Sequence, residues 1–212
     1  SISIGGFRMD IKSYGLNKLD DEAINTIEKF INDSDLKWTD AKIYDDDNEN
    51  KVDKKWRTCK TSFLDFSQEL DRLFGKMISD YNNNYSGWNY ELSFIESIQL
   101  THYYEGDFYD WHIDMHPKHI MTNDISHNRK VSVSVFLNDP EEYEGGELDL
   151  EVRGPNAVTV FGSSEEEERF DSFKLPKGSI ITFPSYTWHR VRPVTSGVKK
   201  SLVLWIQGPP FR

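Results

Sequence analysis

Residues 107 to 119 read DFYDWHIDMHPKH and hold three of the chain's six histidines, with three aspartates among them. Imidazoles and carboxylates crowded together ligate a metal, pass protons, or simply face solvent in a loop. At the centre of the run, His112 and Asp114 are two positions apart. On a strand, i and i+2 project from one face, so this imidazole and this carboxylate would address a common point. An H-x-D pair alone is common by chance and needs a third ligand. The segment FPSYTWHRVRPVTSGVKKSLVLWIQ supplies one in His189, far downstream on a strand-like stretch. Two imidazoles and a carboxylate on one side of an ion leave several positions open. That suits non-haem Fe(II) that activates O2, whereas zinc more often takes a closed tetrahedral set or three ligands and a water.

Nine residues separate His189 from Lys199. Open positions on such an ion accommodate a 2-oxo acid together with O2. If the acid is 2-oxoglutarate, its second carboxylate needs a fixed cation in a largely apolar pocket, and Lys199 can provide it. Lys200 stands beside it. Strand alternation puts Lys199 on the face of Ser201, Val203 and Trp205, and Lys200 on the face of Leu202, Leu204 and Ile206; a one-residue slip would exchange them.

These residues must be carried by elements that bring distant segments together. From about residue 91 the chain is a series of short stretches rich in β-branched and aromatic residues, such as IESIQLTHYY, VSVSVFL, GELDL, AVTVFG, SIITFP and SLVLWIQ, broken by Gly, Pro, Asn and Asp. VSVSVFL alternates strictly, which predicts one buried face. Many short strands with turns between them make a sandwich or barrel, in which distant strands can face one another. The first third reads helical. LDDEAINTIEKFIND repeats Leu19, Ala23, Ile24, Ile27, Phe30 and Ile31 at helical spacing, with Asp20 or Asp21 as cap. TSFLDFSQELDRLFGKMISDYNN does the same with Phe63, Phe66, Leu70, Leu73, Phe74, Met77 and Ile78, with Thr61 or Ser62 as cap. The charged stretch between them reads as a solvated loop or hairpin. The expectation is one domain over 1–212. Residues 1–90 would form a helical cover and substrate loop, and 91–212 a jelly-roll core that holds the site.

Composition narrows the partners. A net charge of −11 repels phosphate backbones, so nucleic acid is a poor general partner. No window approaches the length of an apolar membrane span, and the opening SISIGGFRMD lacks the features of a signal peptide. A single cysteine, Cys59, forms no intrachain disulfide and points to a reducing, cytoplasmic setting. Nothing in the residues names an oligomeric state.

Taken together, THYYEGDFYDWHID, YEGGELDL, LPKGSIITFPSYTWHRVRPVTSGVKK and LWIQ resemble the Fe(II)- and 2-oxoglutarate-dependent oxygenases, in their prolyl 4-hydroxylase-like branch. The resemblance runs from about Ile98 to Gln207. It implies a mainly β chain with N-terminal helices packed on a double-stranded β-helix, a distorted jelly roll. It implies that His112, Asp114 and His189 bind Fe(II), and that Lys199 and the Tyr103 hydroxyl reach 2-oxoglutarate. It also implies that Trp205 lines the pocket, with Tyr103 and Trp111 as further aromatic wall. KKWRTCKTSFLD is similar to the RTS-type stretch of prolyl hydroxylases, which would give Arg57 a part in holding substrate. O2 is then the second co-substrate and ascorbate a candidate reductant. The implied partner is a proline-containing protein or peptide, hydroxylated at carbon 4, with succinate and CO2 as co-products.

His116, His119 and His127 fall in a stretch without regular period and read as loop residues at the mouth of the site; His102 reads as a structural histidine. Other functions remain open at this point. The same chemistry could act on free proline or another small metabolite. A non-catalytic cupin-like module would bind metal without needing Lys199, and a zinc hydrolase could use the same ligands.

Overall fold

The computed structural model describes residues 11–44, 50–65, 67–115, 127–152 and 170–211. His116, His119, Phe66, the AVTVFG stretch and the acidic run before residue 170 lie outside them.

Two large antiparallel sheets face each other among the described residues. The larger has eight strands. Along its main path lie Gly15–Lys18, Ser179–Pro184, Asn128–Phe136, Lys199–Gly208, Gln99–Tyr103, Lys60–Phe63 and Thr39–Asp40, with Phe94–Ile95 pairing Lys199–Gly208. The smaller runs Phe170–Phe173, Leu148–Glu151, His189–Val191, Phe108–His112 and Arg57–Thr58. Tyr143–Gly145 pairs with Val194–Gly197 as a separate ribbon. The turn into Leu148–Glu151 uses Gly145 at φ 70° and Gly146 at φ 66°. A Cβ on Gly145 would stand 2.2 Å from the Pro193 carbonyl oxygen, so both conformation and space require glycine there.

Strand alternation divides the large sheet into two chemistries. Val131, Val133 and Val135 join Leu202, Leu204 and Ile206 in a core closed by Ala23 and Ile27 of helix Asp21–Asp33 and by Leu70, Phe74 and Ile78 of helix Gln68–Asp80. The opposite faces of the same strands turn toward the small sheet. There Gln99, Thr101, Tyr103, Ser134, Lys199, Ser201, Val203 and Trp205 line one pocket. The strict Val/Ser alternation therefore has an apolar face under the helices and a polar face in the interior, rather than a polar face in water. A second apolar cluster, with Phe136, Leu148, Leu150, Phe173, Ile181 and Phe183, closes the space between the sheets.

The first 90 residues do more than cover. Lys60–Phe63 pairs with Gln99–Tyr103, Gly15–Lys18 with Ser179–Pro184, and Arg57–Thr58 with Phe108–His112. The second helix accordingly starts later than its apolar spacing suggests. Thr61 and Ser62 are buried strand residues and cap nothing; Ser67 is the cap and accepts from the Leu70 N–H at 3.3 Å. A ladder to Leu100 and Thr101 outweighs the helical pattern there. The first helix is capped by Asp20, which accepts from the Ala23 N–H at 2.8 Å. Between the helices, Ile43–Tyr44 and Asn50–Lys51 form a hairpin. No helix among the described residues is long and apolar enough to cross a membrane.

Candidate active site

His112 and His189 face each other directly across two antiparallel strands of the small sheet. The strand Phe108–His112 ends at the first of them, so Asp114 is carried by the bend that follows, not by continued alternation. That bend is pinned by the Asp114 and Met115 N–H groups, which both donate to the Ser185 carbonyl at 3.0 and 3.1 Å. The result brings one ligand atom from each of His112, Asp114 and His189 within 4.8 Å of the others.

Hydrogen bonding selects the tautomers. His112 Nδ1 lies 2.8 Å from the Asp110 carbonyl oxygen, and His189 Nδ1 lies 2.9 Å from that of Thr187. A carbonyl only accepts, so each Nδ1 carries the proton and each Nε2 presents a lone pair. Those Nε2 atoms stand 3.7 and 3.5 Å from the Asp114 carboxylate oxygens. Lone pairs facing an anion at that range repel unless a cation lies between them, and a divalent metal ion is the cation this donor set fits.

Burial alone would push the Asp114 carboxyl up. The basic groups beside it, His189, His112 and Arg129, outweigh that and hold Asp114 well below the usual carboxylate range. His112 is held well below the ordinary imidazole value by burial and then by His189, against the pull of Asp114. Both shifts favour the ionised carboxylate and neutral imidazole that a metal requires.

Two serines that sequence reasoning missed complete the support. Ser132 donates to Asp114 Oδ2 at 2.6 Å, and its oxygen lies 2.9 Å from Ser185 Oγ. An ionised carboxylate has no proton to give, so Ser132 spends its own proton on Asp114 and Ser185 must be the donor to Ser132.

The pocket beside the triad measures about 750 Å3 and includes Arg57, Tyr103, Lys199 and Trp205 in its lining. Lys199 is 2 % exposed. Its Nζ is buried without a hydrogen-bond acceptor, 4.4 Å above the centre of the Phe136 ring. Burial lowers its pKa to about 7; Glu147 opposes the fall and Lys174 adds to it. A buried ammonium lacking any acceptor is costly, and a carboxylate in the pocket would remove that cost. Lys200 faces the other way and is exposed, paired in register with His102, whose ring packs on Trp38.

Tyr103 pairs in register with Lys199 and is also buried. Its phenol is held well above the ordinary value, by burial first and then by Cys59. Trp205 lies under the Arg129 guanidinium, 3.9 Å from its ring centre, with Arg129 in turn on Glu96. Trp111 is a correction: it contacts Phe170 and Arg190 and does not line the pocket. A register shift in this strand explains it: Tyr109 and His112 both line the pocket, and Trp111 between them does not. His127 packs near Phe94, itself a pocket-lining residue.

The comparisons with known proteins agree with this geometry. Residues 98–207 match the family model of the 2OG-Fe(II) oxygenase superfamily. A PKHD-type hydroxylase of Synechococcus is 38% identical over 117 residues, which cover 53% of this chain and 43% of that protein. The chain thus spans under half the length of the curated relatives it matches first. A Pseudomonas putida prolyl-4-hydroxylase shares the fold at a TM-score of 0.62 and 16% identity, over 93% of this chain and 94% of the other. A Trichoplax adhaerens prolyl hydroxylase, in complex with a hypoxia inducible factor peptide fragment, does so at 0.61 and 19% identity, over 92% and 83%. The two facing sheets with their helical cover are the double-stranded β-helix of these enzymes. Fe(II) and 2-oxoglutarate are the cofactor and co-substrate implied by the matched family together with the His–Asp–His set. With three metal-ready ligands, an acceptor-less ammonium in the same pocket and a family match over half its length, the chain belongs to the 2OG-Fe(II) oxygenase superfamily.

Proposed function

We propose that this chain is a hydroxylase acting on a prolyl residue of a protein or peptide, at carbon 4. His112, Asp114 and His189 would hold Fe(II), and Lys199, helped by Tyr103, would hold the distal carboxylate of 2-oxoglutarate. When bound, iron and co-substrate together supply an oxidant strong enough to hydroxylate an unactivated C–H bond, with succinate and CO2 as co-products.

The remaining work falls to the chain's own residues. The Nδ1–carbonyl bonds of both histidines keep Nε2 aimed at the metal position. Ser132 and Ser185 keep the Asp114 carboxylate from rotating. Leu148, Phe183 and Val191 line the pocket and keep bulk water off the reacting carbon. Trp205 and Arg57 offer a flat ring and a cation to the substrate.

The observation that carries the reading is the acceptor-less Lys199 ammonium in the same pocket as the triad. A polypeptide substrate is supported by the exposed Thr39, Lys42 and Phe63, which line the pocket from the segment before residue 64. It is supported further by the likeness of the fold to prolyl hydroxylases and of the sequence to PKHD-type hydroxylases. Mass spectrometry of proline-containing peptides after incubation with protein, Fe(II), 2-oxoglutarate and O2 tests it. The expected result is the gain of one oxygen atom on proline with stoichiometric succinate. Succinate release stimulated only by free proline or another small metabolite would replace the polypeptide reading.

A further inference from the structure

The triad and Lys199 do not use up the charge in the pocket. Arg57 is 8 % exposed and lines it. Its Nε donates to the Cys59 thiol sulfur at 3.2 Å, and its Nη1 to the Lys42 carbonyl oxygen at 3.3 Å. Among the described residues no carboxylate pairs with it, and its Nη2 has no partner. The pocket's other carboxylates are committed elsewhere: Asp40 to Lys60, and Glu96 to Arg129 and Gln207. A divalent ion beside Asp114 and a dicarboxylic acid beside Lys199 would balance one another and leave the Arg57 charge over. A buried guanidinium without a counter-ion is costly, and a free edge on it matches a carboxylate.

Position says what that anion does. Arg57 stands opposite Tyr109 in the strand ladder, with its guanidinium carbon 4.5 Å from the centre of the Tyr109 ring. The same ring stacks on His112 at 3.4 Å. A group held by Arg57 is therefore one aromatic ring removed from a metal ligand. Lys42, an exposed residue of the same lining, adds a second positive charge. Among the described residues, a chain of net charge −11 thus gathers two cations on that side of its pocket.

We propose that Arg57 receives a carboxylate of the substrate, so that the site selects a target with an acidic group next to the carbon that is hydroxylated. This rests on the hydroxylase reading above and narrows its substrate class. The carboxylate has two possible sources, an acidic side chain adjoining proline or a free α-carboxylate.

The test is binding without turnover. The protein loaded with Fe(II) and 2-oxoglutarate under anaerobic conditions is titrated calorimetrically with matched peptides. One pair carries Glu or Gln beside proline, and the other ends in proline as free acid or amide. The wild type should prefer one carboxylate member by roughly 10- to 100-fold, and which pair shows the preference identifies the source. Arg57→Gln should lose the preference, weakening the carboxylate members far more than the neutral ones, and Arg57→Lys should keep part of it. Equal binding of acid and neutral members, or no binding by any member, overturns the proposal. So does loss of the Fe(II)·2-oxoglutarate absorbance in Arg57→Gln, which would give Arg57 to the co-substrate. Carboxylate-dependent binding with no oxygen gain on later exposure to O2 would leave Arg57 as the anion receptor and remove the prolyl reading instead.

Discussion

Ser132 donates its hydroxyl proton to Oδ2 of Asp114 at 2.6 Å, from a strand residue with no solvent exposure. That bond joins the Val/Ser strand of the large sheet to the carboxylate proposed to hold the metal, which follows the small sheet, and Ser185 backs it at 2.9 Å. Ser132→Ala frees the carboxylate to rotate. The expected result is metal affinity lowered by roughly 10- to 100-fold, a typical cost of losing a bond to a ligand. A Mn(II) titration followed by electron paramagnetic resonance reads this without turnover, and Ser132→Thr should restore most of the affinity. Unchanged affinity in the alanine variant would mean the hydroxyl pair merely fills space.

Lys199 makes ligand-free stability depend on pH. Its pKa falls from 10.5 to about 7, because burial penalises the charged form most. Above 10.5 the amine is neutral folded or unfolded, and it contributes nothing. As pH falls from there toward about 7, the unfolded chain takes up the proton first, so the ligand-free protein loses stability across that window. A dicarboxylate that pairs with the ammonium reverses this, so 2-oxoglutarate binding within the window takes up a proton. Calorimetry in buffers of different ionisation enthalpy measures that uptake, and zero uptake contradicts the assignment.

Lys199→Met separates stability from binding. The variant should melt higher than wild type at neutral pH without ligand, since the unpaired charge is gone. It should also bind 2-oxoglutarate at least about 30-fold more weakly, the loss expected for one partner of a buried charge pair. Thermal melts with and without 2-oxoglutarate show both effects together. A lower melting point without ligand would argue against an unpaired ammonium.

Asp149 anchors the outer face of the strand that carries His189. Its carboxylate is fully buried and accepts from Arg190 Nε at 2.7 Å, Arg192 Nε at 2.8 Å and Ser172 Oγ at 2.6 Å. Asp149→Ala leaves two partly exposed arginines that can rehydrate, so the expected cost is about 1–3 kcal/mol rather than that of a wholly buried pair. Chemical denaturation measures it. Substrate binding at full metal saturation should be unaffected.

The chemistry was more legible in the sequence than its support. His112, Asp114 and His189 announce themselves by residue type and spacing; strand alternation puts Lys199 and Lys200 on opposite faces but leaves open which faces inward, and the structure puts Lys199 there. Trp111 was not legible in this way, because the register shift between Tyr109 and His112 breaks the alternation of that strand. Ser132 was visible in VSVSV once helices are known to cover the valine face, because the serines then meet the other sheet. Ser185 was not visible: it meets Ser132 across 53 residues, and no local pattern encodes such a contact. The short strands before residue 64 were hidden for a similar reason. Arg57–Thr58 and Lys60–Phe63 are too brief to show a period and exist because Phe108–His112 and Gln99–Tyr103 offer them edges.

The most direct test of the whole account is the visible absorbance of protein, Fe(II) and 2-oxoglutarate mixed without oxygen. A metal-to-ligand charge-transfer band should appear in the wild type, vanish in His189→Ala, and in Lys199→Met require far more 2-oxoglutarate to saturate. A wild type that binds Fe(II) but develops no band with 2-oxoglutarate, or a band that survives loss of His189, contradicts it.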